Sequence, residues 1–82
     1  MELDKINSQV SQKVQQILGI EYSVSSIFEL SQLGLDSMKA MALLVELEDT
    51  FDILYQDDEL LFENFSTIQS ISERIYGKLV AV

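Results

Sequence analysis

Ser37 stands directly after Asp36 and directly before an apolar run, Met38-Lys39-Ala40-Met41-Ala42-Leu43-Leu44-Val45. A hydroxyl beside a carboxylate can serve as a nucleophile, as a helix cap, or as a group that another enzyme modifies. The nucleophile role needs a base, and the 82-residue sequence has no His to supply one. The capping role needs nothing further, since Asp and Ser are both preferred helix starters. Modification by another enzyme needs only an exposed, rigidly placed hydroxyl, and a helix start provides one. It also presents backbone N–H groups and the positive end of the helix dipole to an incoming phosphate. Asp36 is placed to help recruit a cation held by the modifying enzyme.

The carboxylates are the other candidate chemistry. Residues 37–66 hold eight acids, running from Glu46 to Glu63, against Lys39 alone, out of a net charge of -9 for the chain. The spaced Asp-x-Asp-x-Asp-Gly loop of a calcium site is absent, so these acids offer loose divalent binding at most. With no Cys and no His there is no zinc site, no thiol nucleophile and no disulfide. Pairs of carboxylates exist, but nothing in the sequence builds a pocket around them. No residue is assigned a catalytic or a metal-binding role, and the chain is not expected to be an enzyme. A polyanion does not seek phosphate backbones, which argues against nucleic acid as a partner. The concentration of acid in the middle of the chain points instead to a basic protein surface.

The elements that must position these residues are helical. Leu3, Ile6, Val10, Val14 and Ile17 repeat at steps of three and four, which predicts an amphipathic helix over 3–18 that Gly19 stops. Residues 19–36 read as a long connection, with Ile27, Phe28, Leu30, Leu33 and Leu35 as apolar anchors and a short helical turn around Ile27–Leu30. A connection of this length is usually functional. A second helix is predicted over 37–51 and a short third one over 57–62. A fourth begins at Ser66, where Ser66-Thr67-Ile68-Gln69 has the form of a capping box and Ile68, Ile71, Ile75 and Leu79 form the stripe. No segment alternates with period two. The expected class is all-α: a small four-helix bundle with three main helices, a short third one and a long loop between the first two.

The second helix is apolar nearly all round. Leu43, Leu47 and Phe51 make one stripe, widened by Ala40 and Leu44; Met38, Met41, Ala42 and Val45 fall on another side. A chain of 82 residues hides only about 60–65% of its unfolded surface, so few neighbours can cover every face. The second side is expected to stay partly open. With Glu46, Glu48 and Asp49 beside it, it has the make-up of a docking strip, and Met adapts to several partners. The amino terminus lacks the basic and apolar segments of a signal peptide, and no stretch approaches a membrane span. The reading is a single cytoplasmic domain over 1–82 that does not engage membranes.

Leu33-Gly34-Leu35-Asp36-Ser37-Met38 resembles the signature of acyl and peptidyl carrier proteins, in which an Asp-Ser or His-Ser pair before a large apolar residue bears 4'-phosphopantetheine. The resemblance extends over nearly the whole chain. It takes in the long loop with Phe28, the acidic second helix ending in Glu48-Asp49-Thr50-Phe51-Asp52-Ile53, and Glu63-Asn64-Phe65-Ser66-Thr67-Ile68. It implies that Ser37 accepts the arm from coenzyme A through a phosphopantetheinyl transferase, with Asp36 supporting that modification. It implies that Met38, Met41 and Val45 touch partner enzymes and that Glu48 and Asp49 meet their basic residues. The partners would be an acyl- or aminoacyl-loading enzyme and downstream synthase enzymes, served by a monomeric carrier.

Two positions depart from the pattern of housekeeping fatty-acid carriers, which have acids in the first turns of the second helix where this chain has Lys39 and Ala42. Leu35 departs from the Gly-Gly form of many peptidyl carriers. The Gly34-Leu35-Asp36-Ser37 form looks closer to carriers of polyketide or mixed polyketide–peptide pathways, with a fatty-acid or D-alanyl-type carrier as the alternative. An acidic, non-catalytic adaptor domain, in which Ser37 is only a cap, is the rival of another class.

Overall fold

The computed structural model describes residues 2–80. Three α-helices carry the fold: α1 spans Leu3–Leu18, α2 Ser37–Phe51 and α3 Ile68–Val80. Among the described residues there is no strand, and the all-helical bundle expected from periodicity is what forms. The first stripe buries Ile6, Val10 and Val14 completely, and α1 packs through it on both α2 and α3. Gly19 takes a left-handed conformation (φ 69°) and its N–H donates to the Gln15 carbonyl, ending α1 where the sequence placed the stop. Leu43 and Leu47 from α2 and Ile68, Ile71 and Ile75 from α3 complete the centre of the core. Full burial of each such aliphatic side chain stabilises by about 1.5–3 kcal/mol.

The connections differ from the sequence reading in three places. First, Ile27 and Phe28 do not anchor the long loop: they are 71% and 40% exposed, and the buried residues of that loop are Leu30 and Leu35. The helical turn lies at Leu30–Leu33 and not at Ile27–Leu30, three residues later than expected. The loop is fastened by main chain instead, with the Leu30 N–H donating to the Ser66 carbonyl and the Gln69 N–H to the Ser26 carbonyl, each at 2.8 Å.

Second, the short third helix is a strap with two separate 3-10 turns, Asp57–Glu59 and Phe62–Phe65, broken at Leu60-Leu61. Tertiary anchors explain the break. Tyr55 and Phe65 are buried with ring centroids 5.7 Å apart, and Ile53 is buried beside them in the core. A short segment pinned at both ends takes its shape from those tertiary contacts more than from its own weak helix propensity. Third, the cap of α3 is Thr67, whose Oγ1 accepts the Ser70 N–H at 3.0 Å. The expected Ser66–Gln69 box does not form, and Gln69 donates to Glu73 instead.

Candidate functional site

Gly34 sets up the site. It closes the Leu30–Leu33 turn at φ 101°, a backbone state that a residue with a Cβ enters only with strain, and its N–H reaches the Ser31 carbonyl. The chain then turns inward, burying Leu35, and outward again at Asp36 in an extended conformation (φ -122°). This alternation makes Asp36 the N-cap of α2. Its Oδ1 accepts the Lys39 N–H at 2.8 Å and its carbonyl accepts the Ala40 N–H at 2.8 Å. Such a cap contributes about 1 kcal/mol.

Ser37 is therefore the first residue of α2, and it is exposed. The amides of Ser37 and Met38 lie in the first turn, where helix geometry gives them no intrahelical partner. A phosphate joined to the Ser37 hydroxyl would meet these donors and the positive end of the α2 dipole. The local structure thus fits a phosphodiester at this position, with no rearrangement of the cap needed.

The two sides of α2 separate as the sequence analysis expected. Ala40, Leu43, Leu44, Leu47 and Phe51 are buried. Met38, Met41 and Val45 are 83%, 52% and 60% exposed. Together with the exposed Ala42 they form an apolar strip that starts at Ser37 and runs along the helix. Asp49 is exposed at the far end, about 18 Å from Ser37 at 1.5 Å per residue.

Glu48 sits differently from Asp49. It is partly buried, and its Oε2 accepts the Tyr55 N–H at 2.9 Å, so it fastens the start of the strap to the end of α2. Glu46 faces α1 and pairs with Lys13 at 3.4 Å. Leu54 lies beyond the end of α2 and is highly exposed; with Val45, Asp49 and Asp52 it borders a shallow depression that lengthens the strip. Leu54 escaped the sequence reading because it belongs to no periodic segment.

The strap completes the surroundings of Ser37. Ser37, Ala40, Met41 and Leu44 form one wall of a small cleft of about 90 Å³, and Leu60, Phe62 and Phe65 form the other. The strap is held against α3 through Glu59, another residue that sequence reasoning missed. The Glu59 carboxylate accepts from Arg74 at 2.9 Å and from Lys78 at 2.6 Å, and the Gln56 N–H donates to it at 2.7 Å. Burial alone would raise its pKa, but the hydrogen bonds from Lys78, Gln56 and Arg74 outweigh that and hold it at about 2. Burial, reinforced by the nearby Glu59 carboxylate, pushes the Tyr55 hydroxyl up to about 12. Among the described residues the acids do not gather into a group of three that could hold a metal ion.

Residues 8–75 match the family described as phosphopantetheine attachment site. The match covers most of the chain, and the protein belongs to that family. It is a phosphopantetheine-bearing carrier, a non-catalytic class that works with phosphopantetheinyl transferases and synthase enzymes. A search of curated proteins finds no match. No helix among the described residues is long and apolar enough to cross a membrane.

Proposed function

We propose that this chain is a monomeric cytoplasmic carrier for a specialised pathway of polyketide or nonribosomal-peptide type, with its arm on Ser37. The observation that carries the reading is the position of Ser37. It is exposed at the start of α2, beside a cap that fixes the helix end and an apolar strip that partners can grip. In loading, the Ser37 oxygen would attack the phosphorus of coenzyme A next to the pantetheine, the pyrophosphate link would break, adenosine bisphosphate would leave, and the hydroxyl proton would pass to the transferase. Asp36 keeps the α2 end rigid and lies close to any cation the transferase brings. Once attached, the arm supplies the terminal thiol on which acyl or aminoacyl groups are held as thioesters. The protein contributes no thiol of its own.

Met38, Met41 and Val45 supply apolar contact to partners, and Asp49 steers basic surfaces toward it. Glu48 serves the same docking surface while bonded to Tyr55, by holding the end of α2 in shape. Contacts of this size, largely electrostatic at long range, give fast and weak encounters, which suits a carrier that must leave after every step. Exposed Lys39 and Ala42 on the first turns of α2 disfavour partners that expect acids there, which supports a specialised pathway over fatty-acid synthesis.

Incubation with coenzyme A and a broad-specificity transferase tests the site. The intact mass should rise by one phosphopantetheine, and Ser37→Ala should abolish the gain. A protein that gains no mass is an adaptor with Ser37 as a cap. Loading with a panel of acyl and aminoacyl donors then separates the pathway types.

A further inference from the structure

The two faces of α2 differ in redox chemistry as well as in burial. The sequence holds no Cys, no Trp and no His, so thioethers are the side chains that peroxide attacks first. It has three methionines: Met1, which lies outside the described residues, and Met38 and Met41 on α2. Both α2 methionines are exposed. The core is built from Ile, Leu, Val, Ala, Phe and Tyr, and among the described residues no methionine is buried in it. Oxidation of α2 therefore falls on its outer strip and spares the packing of the bundle.

The two side chains are also close to each other and to Ser37. Residues three and four apart on a helix are neighbours, with Cβ atoms about 5–6 Å apart. Met41 is three residues from Met38 and four from Ser37, and Met38 follows Ser37 directly. Val45 and Ala42, which complete the strip, have no group that peroxide attacks. The oxidisable part of the strip is thus the part nearest the arm.

The chemistry is a single atom transfer. Hydrogen peroxide gives one oxygen to the thioether: an S–O bond forms, the O–O bond breaks, the sulfur loses two electrons and water leaves. The sulfoxide is polar and chiral where the thioether was apolar and adaptable. Its oxygen accepts hydrogen bonds from water, which a partner covering the strip must strip away. The step reverses when a methionine sulfoxide reductase draws two electrons and two protons from a dithiol; the dithiol becomes a disulfide and the oxygen leaves as water.

We propose that Met38 and Met41 are a reversible oxidation site, through which peroxide weakens the docking of partner enzymes at the root of the arm without unfolding the carrier. The inference rests on the carrier reading of Ser37 and α2, and it adds the regulation of that surface. Every partner that grips the start of α2 is affected, the transferase included. The fold is untouched, because its core holds neither sulfur.

The test uses the full chain before the arm is attached, when methionine is its sole source of sulfur. Hydrogen peroxide is applied and then removed, and peptide mapping by mass spectrometry locates the oxygen. Met38 and Met41 should each gain one oxygen at a rate within about fivefold of free methionine, the more exposed Met38 faster. Tm should stay within about 3 °C of the untreated value. Loading of Ser37 from coenzyme A by a broad-specificity transferase should then show a kcat/KM about tenfold lower than in the untreated chain. Methionine sulfoxide reductase with dithiothreitol should restore it. In a chain carrying both Met38→Leu and Met41→Leu, treated and untreated rates should agree within about twofold, whatever the untreated rate. Met1 remains in that chain and reports any effect of oxygen there.

A doubly oxidised, folded chain that loads at the untreated rate overturns the proposal. So does a loss that the reductase does not reverse, or one that the double-Leu chain shows equally. Methionines that resist peroxide until urea unfolds the chain overturn it as well, since the strip is then not open. A large fall in Tm would show that oxidation acts on the fold and not on docking. An untreated chain that gains no phosphopantetheine refutes the carrier reading and this inference with it. An untreated chain that loads, and loads as fast with both sulfoxides in place, refutes this inference alone.

Discussion

Leu43, Leu47 and Phe51 on one face of α2 are buried, while Met38, Met41 and Val45, no less apolar, stand in solvent on another. The same helix thus runs two programmes. The inner face meets α1 and the turn before α3, and its side chains are spent on holding the bundle together. The outer face is left largely open to solvent, with Met41 reaching only the edge of the strap. Exposed apolar surface carries a solubility cost, which Asp49 and Asp52 at its far end offset. Stability and recognition share one helix but use separate residues, so each can be altered without the other.

The largest effect is expected on the inner face. Leu47→Ala should cost about 3 kcal/mol, through lost burial and an unfilled cavity, and thermal unfolding should show it as a large fall in Tm. A change of under 1 kcal/mol would mean that α2 is not central to the core.

The next effect is electrostatic. The Glu59 carboxyl falls from its ordinary 4.5 to about 2 on folding. A group whose pKa is lowered in the folded state adds stability that is complete above its unfolded value and disappears as pH falls through its folded value. Native stability should therefore decline between about pH 4.5 and pH 2, with Glu59→Gln less stable at neutral pH by about 1–2 kcal/mol and flatter over that window. Urea titrations at a series of pH values measure both slopes; parallel curves would show that the cluster adds nothing to folding.

A smaller effect is expected at the cap. Asp36→Ala should lower stability by about 1 kcal/mol, the usual value of a lost N-cap, and slow arm transfer as the start of α2 frays. Asp36→Asn keeps the cap but removes the charge. If it restores stability without restoring transfer, the carboxylate has a role in modification beyond capping.

The smallest effect on stability belongs to the outer face. Val45→Ser and Met41→Ser should change unfolding by no more than about 0.5 kcal/mol. The same substitutions should reduce turnover with partner enzymes at unchanged arm loading. Raising salt should slow the same encounters in the native protein by screening Asp49 and its neighbours. Turnover indifferent to both would place docking elsewhere on the molecule.

Much of this arrangement was legible from residues alone. The stripes of α1 and α3 have a clean period, α2 starts and stops where composition placed it, and its open side followed from an apolar helix in a chain too short to cover it. Ile27 and Phe28 were misread because an isolated apolar residue in a loop has no period, and without one nothing indicates which way it points. The cap at Thr67 in place of Ser66 was a choice between adjacent hydroxyls, decided once the Ser66 carbonyl was engaged by Leu30. Glu59 looked like one more acid in an acidic segment. Its partners lie 15 and 19 residues away, and no local pattern links them.

The three helices, the absence of histidine and thiol chemistry, the place of Ser37 at a helix start and the strongly acidic middle of the chain were already written in the residues. These depend on local propensity, periodicity and composition, which act over a few neighbouring residues. Packing made the third helix a strap with two turns, set Glu48 and Glu59 to fasten it while Asp49 stayed exposed, and formed a small cleft beside Ser37. Those outcomes depend on which distant groups meet. Burial of Tyr55 and Phe65 and the approach of Arg74 and Lys78 to Glu59 arise only when the helices have packed.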